Sequence, residues 1–199
     1  MEKQLIISVG REFGSGGHVI AEALAKRFGI PLYDQNLLAN IAKERNLDAG
    51  ELDRYDETPK NRLFYRKVKG YSNSPEENVA NLQFAHLQKL AKEGESFVIV
   101  GRCAETKLKE FPALVSIFVL GDMEAKVERV MKKYELSRGD AEQLIKKMDW
   151  KRKSYHNYYC GGKWGDSRNY DLSINSSTLG IEETVSIIEA FIEAKQKAE

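Results

Sequence analysis

Residues 5–28, LIISVGREFGSGGHVIAEALAKRF, decide the fold. Leu5-Ile6-Ile7-Ser8-Val9 is a short, β-branched, nearly continuous apolar run, the pattern of a strand buried on both faces of a parallel sheet. Further on, Ile20, Ala23, Leu24 and Phe28 recur at helical spacing until Gly29 and Pro31 stop the helix. Between strand and helix stands GREFGSGG, residues 10–17. Glycines there permit positive φ and let backbone N–H groups close around phosphate oxygens at the positive end of a helix. Three closely spaced glycines exceed what a simple turn requires. A phosphate-bearing ligand, in the first place a nucleotide, is therefore expected at Gly14, Ser15, Gly16, Gly17 and His18. Substituting Gly16 by Val is expected to put a side chain where a phosphate oxygen would sit.

Outward from this segment, runs of the same character recur at residues 97–100, 115–120 and 172–175, with a shorter candidate at Pro31-Leu32-Tyr33. Helical patterns separate them, so the chain reads as an α/β domain whose parallel sheet is covered by helices on both faces. Ser74-Pro75-Glu76-Glu77 starts one helix with an N-cap, a proline at the first helical position and acids at the positive end. Ser137 with Asp140 starts another that runs through Met148 and Arg152, and a last one follows Gly180. Two stretches fit the sheet poorly: the basic, aromatic residues 57–78, and residues 149–169, which mix Arg, Lys, Tyr and Trp around Gly161-Gly162. Both read as mobile excursions over the edge where ligands of open α/β sheets bind.

A chain of 199 residues that is 42% hydrophobic can bury one sizeable core. Its 31 basic and 30 acidic residues leave a net charge of +1, so neither nucleic acid nor an anionic membrane is expected as a partner, and phosphate affinity has to be local. Cys103 and Cys160 have neither zinc spacing nor the density of a disulfide scaffold, and no stretch approaches the roughly 20 apolar residues of a membrane span. A reduced, cytoplasmic protein is the expectation; the sequence gives no oligomeric state and no metal ligand set.

The usual P-loop ends in Gly-Lys-Ser/Thr, whose lysine meets the outer phosphates and whose hydroxyl holds magnesium. Gly16-Gly17-His18 stands in that place here. At GREFGSGGHVIAEALAKRFGIPLYD, and on through FVIVGRCA, FPALVSIFVLGDMEAKVERVMKK, MDWKRKSYHNYY, KWGD and YDLSINSSTLGIEETVSII, the sequence resembles the cytidylate kinase-like family, a divergent branch of the P-loop nucleoside monophosphate kinases. The resemblance implies a three-layer P-loop fold with a five-stranded parallel sheet. It also implies a helical monophosphate-binding segment over residues 35–95 and an arginine-bearing lid over residues 149–169. ATP and Mg2+ are implied as cofactors and a small-molecule nucleotide as partner.

The same resemblance places Arg102 and Asp34 at the acceptor, with Cys103 where true cytidylate kinases carry an acid. It matches Arg129 and Arg152 to phosphate-facing arginines with a catalytic role. Read from the residues alone, Arg129 equally suits a solvated helix face with Lys126, Glu128, Lys132 and Lys133, and Lys151-Arg152-Lys153 a solvated charge run. Tyr155, Tyr158, Tyr159 and Trp164 read as packing residues, Asp166 and Asp171 as turn or capping acids, and Cys103 as an inert thiol lacking an adjacent base. A kinase acting on a nucleoside monophosphate is the leading expectation. A noncatalytic nucleotide sensor that kept the loop and lost its lysine is the alternative, and a nucleic-acid binder using residues 62–71 is the third.

Overall fold

A computed structural model describes residues 3–34, 36–56, 67–68, 71–72 and 74–198. In chain order the elements are β1 (Ile6–Arg11), α1 (Gly17–Phe28), β2 (Leu32–Tyr33), α2 (Asn36–Arg45), α3 (Ala49–Asp53), β3 (Lys67–Val68) and β4 (Tyr71–Ser72). There follow α4 (Pro75–Lys92), β5 (Phe97–Val100), α5 (Ala104–Lys107), β6 (Leu114–Leu120), α6 (Met123–Tyr134), α7 (Arg138–Cys160), β7 (Leu172–Asn175) and α8 (Ser176–Ala198). Five strands form one parallel sheet in the order β2-β5-β1-β6-β7, and β3 and β4 pair separately as an antiparallel ribbon. The expected strands all lie in that sheet, β1 running on to Arg11.

Period-2 alternation sorts the strand residues onto two helix-covered faces. Ile7 and Val9 of β1, with Val98, Val100, Val115, Ile117 and Val119, pack with Ile20 and Leu24 of α1 and Val185, Ile188 and Ile192 of α8. Ile6, Phe97, Ile99 and Leu114 turn the other way, onto Leu37, Leu38 and Ile41 of α2 and Leu87 of α4. Burying each such Ile, Leu or Phe stabilises the fold by roughly 1.5–3 kcal/mol relative to exposure. Both faces are apolar, which is why the strands read as continuous runs rather than alternating ones.

The caps follow the sequence. Ser74 Oγ accepts from Glu77 N at the start of α4, Ser137 from Asp140 N at the start of α7, and Gly29 closes α1 in the left-handed region. Gly180, at φ 80 and ψ 176, breaks the last helix where the sequence starts it. α7 runs without interruption from Arg138 to Cys160, so the expected lid shares its first twelve residues with a continuous helix. Of the basic, aromatic stretch, residues 57–66, 69–70 and 73 lie outside the described residues.

Candidate functional site

The strand order places β1 between β5 and β6, and connections leave it in both directions, so a crevice opens at its carboxyl end. The glycine loop lies there. Gly14 and Gly16 hold φ of 80 and 82, conformations that side chains with a Cβ rarely adopt. Gly10, by contrast, is a strand residue whose Cβ would stand 2.9 Å from Phe118 Cδ2, so its lack of a side chain serves sheet packing. Gly16 is the N-cap of α1 and leaves that helix without a side-chain cap, unlike α4 and α7. The first-turn N–H groups of α1 thus fit an anion at a positive helix end.

The loop is held from several sides. Glu12 N donates to Val119 O at 3.0 Å, and Ser15 Oγ donates to Glu12 O at 2.9 Å. From the start of α8, Ser176 Oγ donates to Ser15 O at 2.5 Å. Phe13 N donates to Asp149 Oδ1 of α7 at 2.6 Å, and Gly121 N donates to Glu12 Oε2 at 3.2 Å. Between these two acids lies Lys126 Nζ, 3.0 Å from Glu12 and 3.3 Å from Asp149. Lys126 is 4% exposed, so it belongs to a buried ion network and not to the solvated face its helical neighbours suggest. Burial pushes the Asp149 carboxyl up despite the Phe13 N–H and Lys126 that oppose the rise.

Both arginines matched to phosphate-facing positions reach the loop. Arg129 Nη1 donates to Gly14 O at 3.1 Å, and Arg152 Nη1 to Arg11 O at 3.3 Å, with the Arg152 guanidinium 5.5 Å from the centre of the Phe13 ring. Neither is a solvated helix charge. His18 Nε2 lies 3.6 Å from Asp34 Oδ2, which brings the start of α1 to the end of β2. Arg102 is 3% exposed; its Nη1 bonds Asp56 Oδ1, and its Nη2 donates to Asp34 O at 3.5 Å. Gly101, Arg102 and Cys103 have φ of 77, 58 and 56, three consecutive left-handed residues in the turn that carries this guanidinium. The acid that pairs with Arg102 is Asp56, which the sequence did not single out; Gln83 Nε2 donates to it at 3.0 Å.

Gly17, where a P-loop lysine would stand, has no room for one. A Cβ there would lie 2.5 Å from Arg11 Cβ and 3.1 Å from Arg11 Cγ. Gly16 carries a constraint the sequence did not show: its Cβ would meet Ile181 Cδ1 of α8 at 2.3 Å. Asp166 caps a short 3-10 turn and pairs with Arg168. Asp171 Oδ2 accepts from Ser116 N at 2.7 Å and pairs with Lys195 at 3.0 Å. Trp164 packs edge-on against Phe118, and Tyr155 and Tyr158 against Tyr159.

A second polar cluster, not anticipated, lies where α5 meets the end of α7. Glu105 Oε1 is 2.8 Å from His156 Nε2 and 3.6 Å from Cys160 Sγ, and the Cys103 thiol, packed in the same cluster, interacts with Cys160. The Cys103 interaction, helped by His156 and opposed by burial, lowers the Cys160 thiol to about 6 and raises that of Cys103. Burial opposes charge on His156, yet hydrogen bonds with Cys160 and Glu105 push it up to about 10. The residues are 57 positions apart in the chain at their extremes, Cys103 and Cys160, so no local spacing could reveal them.

Among the described residues no helix is long and apolar enough to cross a membrane. A sequence model described as the cytidylate kinase-like family matches residues 6–178. Among solved structures, an uncharacterized protein from Eubacterium ventriosum ATCC 27560 is 39% identical, covers 96% of this chain and 99% of its own, and superposes with a TM-score of 0.77. Shikimate kinase from Bacteroides thetaiotaomicron is 15% identical over 95% of this chain and 98% of its own, with a TM-score of 0.56. A gluconokinase from Sinorhizobium meliloti 1021 is 14% identical over 98% and 94%, with a TM-score of 0.53. At those identities the two kinases share the fold. No protein of curated function matches the sequence significantly.

Proposed function

The chain belongs to the cytidylate kinase-like family and has the fold of P-loop kinases, and from that premise we propose that it is an ATP-dependent kinase. Its acceptor would be a nucleoside monophosphate, cytidylate-like, or a related small phosphorylated molecule. The observation that carries this reading is the convergence of Arg129 on Gly14 O and of Arg152 on Arg11 O, beside a helix start that has no side-chain cap. Phosphoryl transfer asks the protein for position and positive charge rather than for a covalent intermediate. The loop N–H groups of residues 14–18 would hold the donor phosphates. Arg129 and Arg152 would supply the charge that the loop itself lacks, and Arg102, steered by Asp56, would bind the acceptor's phosphate opposite.

Magnesium is a hard cation that takes oxygen ligands and keeps several waters when bound with phosphates. His18 replaces the hydroxyl of the usual loop, and Asp34 Oδ2 lies 3.6 Å from its Nε2. The residues fit an ion carried by the nucleotide and steadied by Asp34 through water, where it would neutralise phosphate charge.

A second reading, a nucleotide sensor without turnover, is favoured by one observation: Arg11 fills the space beside Gly17, so a lysine cannot be accommodated there without displacing it. Incubating the pure protein with ATP, Mg2+ and a panel of monophosphates while following ADP separates the two. Acceptor-dependent ADP release is expected. Nucleotide binding with no turnover on any acceptor would sink the kinase reading and leave the sensor, and affinity for polynucleotide alone, falling steeply with salt, would sink both.

A further inference from the structure

Four side chains with metal-ligand chemistry meet where the first turn of α5 faces the last turn of α7. Cys103 and Glu105 come from the turn after β5, His156 and Cys160 from one face of α7. One ligand atom each of Glu105, His156 and Cys160 lies within 4.8 Å of the others, and Cys103 packs in the same cluster as Cys160. Two sulfurs, an imidazole nitrogen and a carboxylate oxygen make a donor set that suits zinc, which takes four such ligands in a closed tetrahedron. We propose that Glu105, His156 and Cys160, with the neighbouring Cys103 moving in as the fourth ligand, form a binding site for a soft divalent cation of the zinc type.

The surroundings fit an ion. Glu105 and His156 are each 6% exposed and Cys103 is 3% exposed, so three of the four donors are already withdrawn from water. A half-buried Cys160 leaves one side open. Two thiolates and a carboxylate around a divalent ion leave one net negative charge. Lys107 stands by to balance it, with Nζ bonded to Tyr159 O at 2.9 Å and lying 4.7 Å from the centre of the Phe84 ring. Ala80, Phe84 and Tyr155 wall the cluster with apolar surface, which strengthens metal–ligand electrostatics. Uptake would release the thiol protons to solvent.

The two ligand pairs come from segments that each carry a site arginine. Arg102 directly precedes Cys103, and Arg152 lies one helical turn before His156. A bound ion would therefore tie the segment carrying Arg102 to the end of α7. The site stands on its own residues and does not depend on the kinase reading.

The test uses the full chain, reduced and freed of metal with a chelator, and titrated anaerobically with Co2+ and then with Zn2+ in competition. One equivalent of Co2+ should bind with the visible bands of tetrahedral coordination and a near-ultraviolet thiolate-to-cobalt charge-transfer band, and Zn2+ should displace it. Cys103→Ser and Cys160→Ser should each weaken binding by at least about 10–100-fold, the loss that even outer-shell changes produce, and diminish the charge-transfer band. Circular dichroism of both variants checks that they fold, while the wild-type spectrum tests the site without any variant. Absence of stoichiometric uptake would overturn the proposal. So would an octahedral spectrum lacking the thiolate band, or a reduced protein that takes no metal but closes a Cys103–Cys160 disulfide on oxidation.

Discussion

Replacing Gly16 by Ala probes whether the glycine loop is shaped by its neighbours or by a ligand. The backbone at Gly16 has φ 82 and ψ 4, and a left-handed conformation costs an L-residue roughly 1–2 kcal/mol. Its new Cβ would lie 2.3 Å from Ile181 Cδ1 but 3.5 Å from Ile181 Cγ1, so the contact is relieved if Cδ1 swings about χ2, at a cost of about 0.5–1.5 kcal/mol. The smaller conformational freedom of Ala in the unfolded chain returns about 0.4–1 kcal/mol. Urea unfolding should show a net loss of roughly 1–3 kcal/mol, with the midpoint lowered and the slope unchanged. The companion variant Ile181→Val deletes the atom in the way, and by itself should cost about 0.5–1.5 kcal/mol. Combined with Gly16→Ala it should be less damaging than the two effects added, by about the overlap term, while the backbone term persists. Nucleotide titration of the same proteins adds the decisive comparison. If Gly16→Ala keeps wild-type stability, shows no coupling to Ile181 and still loses nucleotide, the Cβ points at the ligand and the reasoning from Ile181 is wrong.

Arg152→Ala should lower turnover by about 10³-fold while changing nucleotide affinity far less, if Arg152 acts as arginines do that stabilise phosphoryl transfer; steady-state kinetics beside a direct binding assay read this, and equal losses would mark it as a binding residue. Asp171→Asn should destabilise the protein near neutral pH: burial alone would raise the Asp171 carboxyl, but the Ser116 N–H and hydroxyl and Lys195 outweigh it and hold it below its usual value. A depressed carboxylate stabilises above its unfolded pKa of about 3.9 and loses that contribution as pH falls through the folded value. The gap between wild type and variant in urea unfolding should accordingly close on acidification; a gap that widens toward low pH would refute the assignment.

The β-strands were legible because burial on both faces writes itself into the chain as unbroken apolar runs, and the loop because positive φ at Gly14 and Gly16 demands glycine. The site's long-range partners were not. Asp56 reaches Arg102 across 46 positions and Glu12 reaches Lys126 across 114, so no local pattern pairs them. Lys126 in particular looks like a neighbour of Lys132 and Lys133, whereas helical rotation puts it beside Val127 and Val130 on the buried side. Continuous helical periodicity through Asp149 could have shown that α7 does not break at the proposed lid boundary, since Ala141, Ile145, Tyr155 and His156 all face inward. Gly16 misled for a related reason: sequence indicates that a side chain is excluded, but not whether Ile181 or a ligand excludes it.

The exchange of a lysine for arginines changes what the proposed reaction depends on. A lysine at the start of α1 travels with the loop, so its charge is present whatever the rest of the protein does. Arg129 and Arg152 are rooted in α6 and α7, and they meet the loop only while those helices stay docked on it. That docking rests on Lys126 between Glu12 and Asp149, and on Phe13 N to Asp149, contacts that tie the loop to both helices. Arg11 makes the substitution hard to reverse, because its Cβ and Cγ occupy the space a lysine at residue 17 would need. In the proposed reaction, charge at the transferring phosphate is thereby conditional on the position of α7, and the last turns of α7 are joined to α5 by His156 and Cys160 meeting Glu105. Arg152 and His156 lie one turn apart on the same helix, so an ion held at the end of α7 would bear on the charge at the loop through the placement of α7, without any contact between ion and nucleotide.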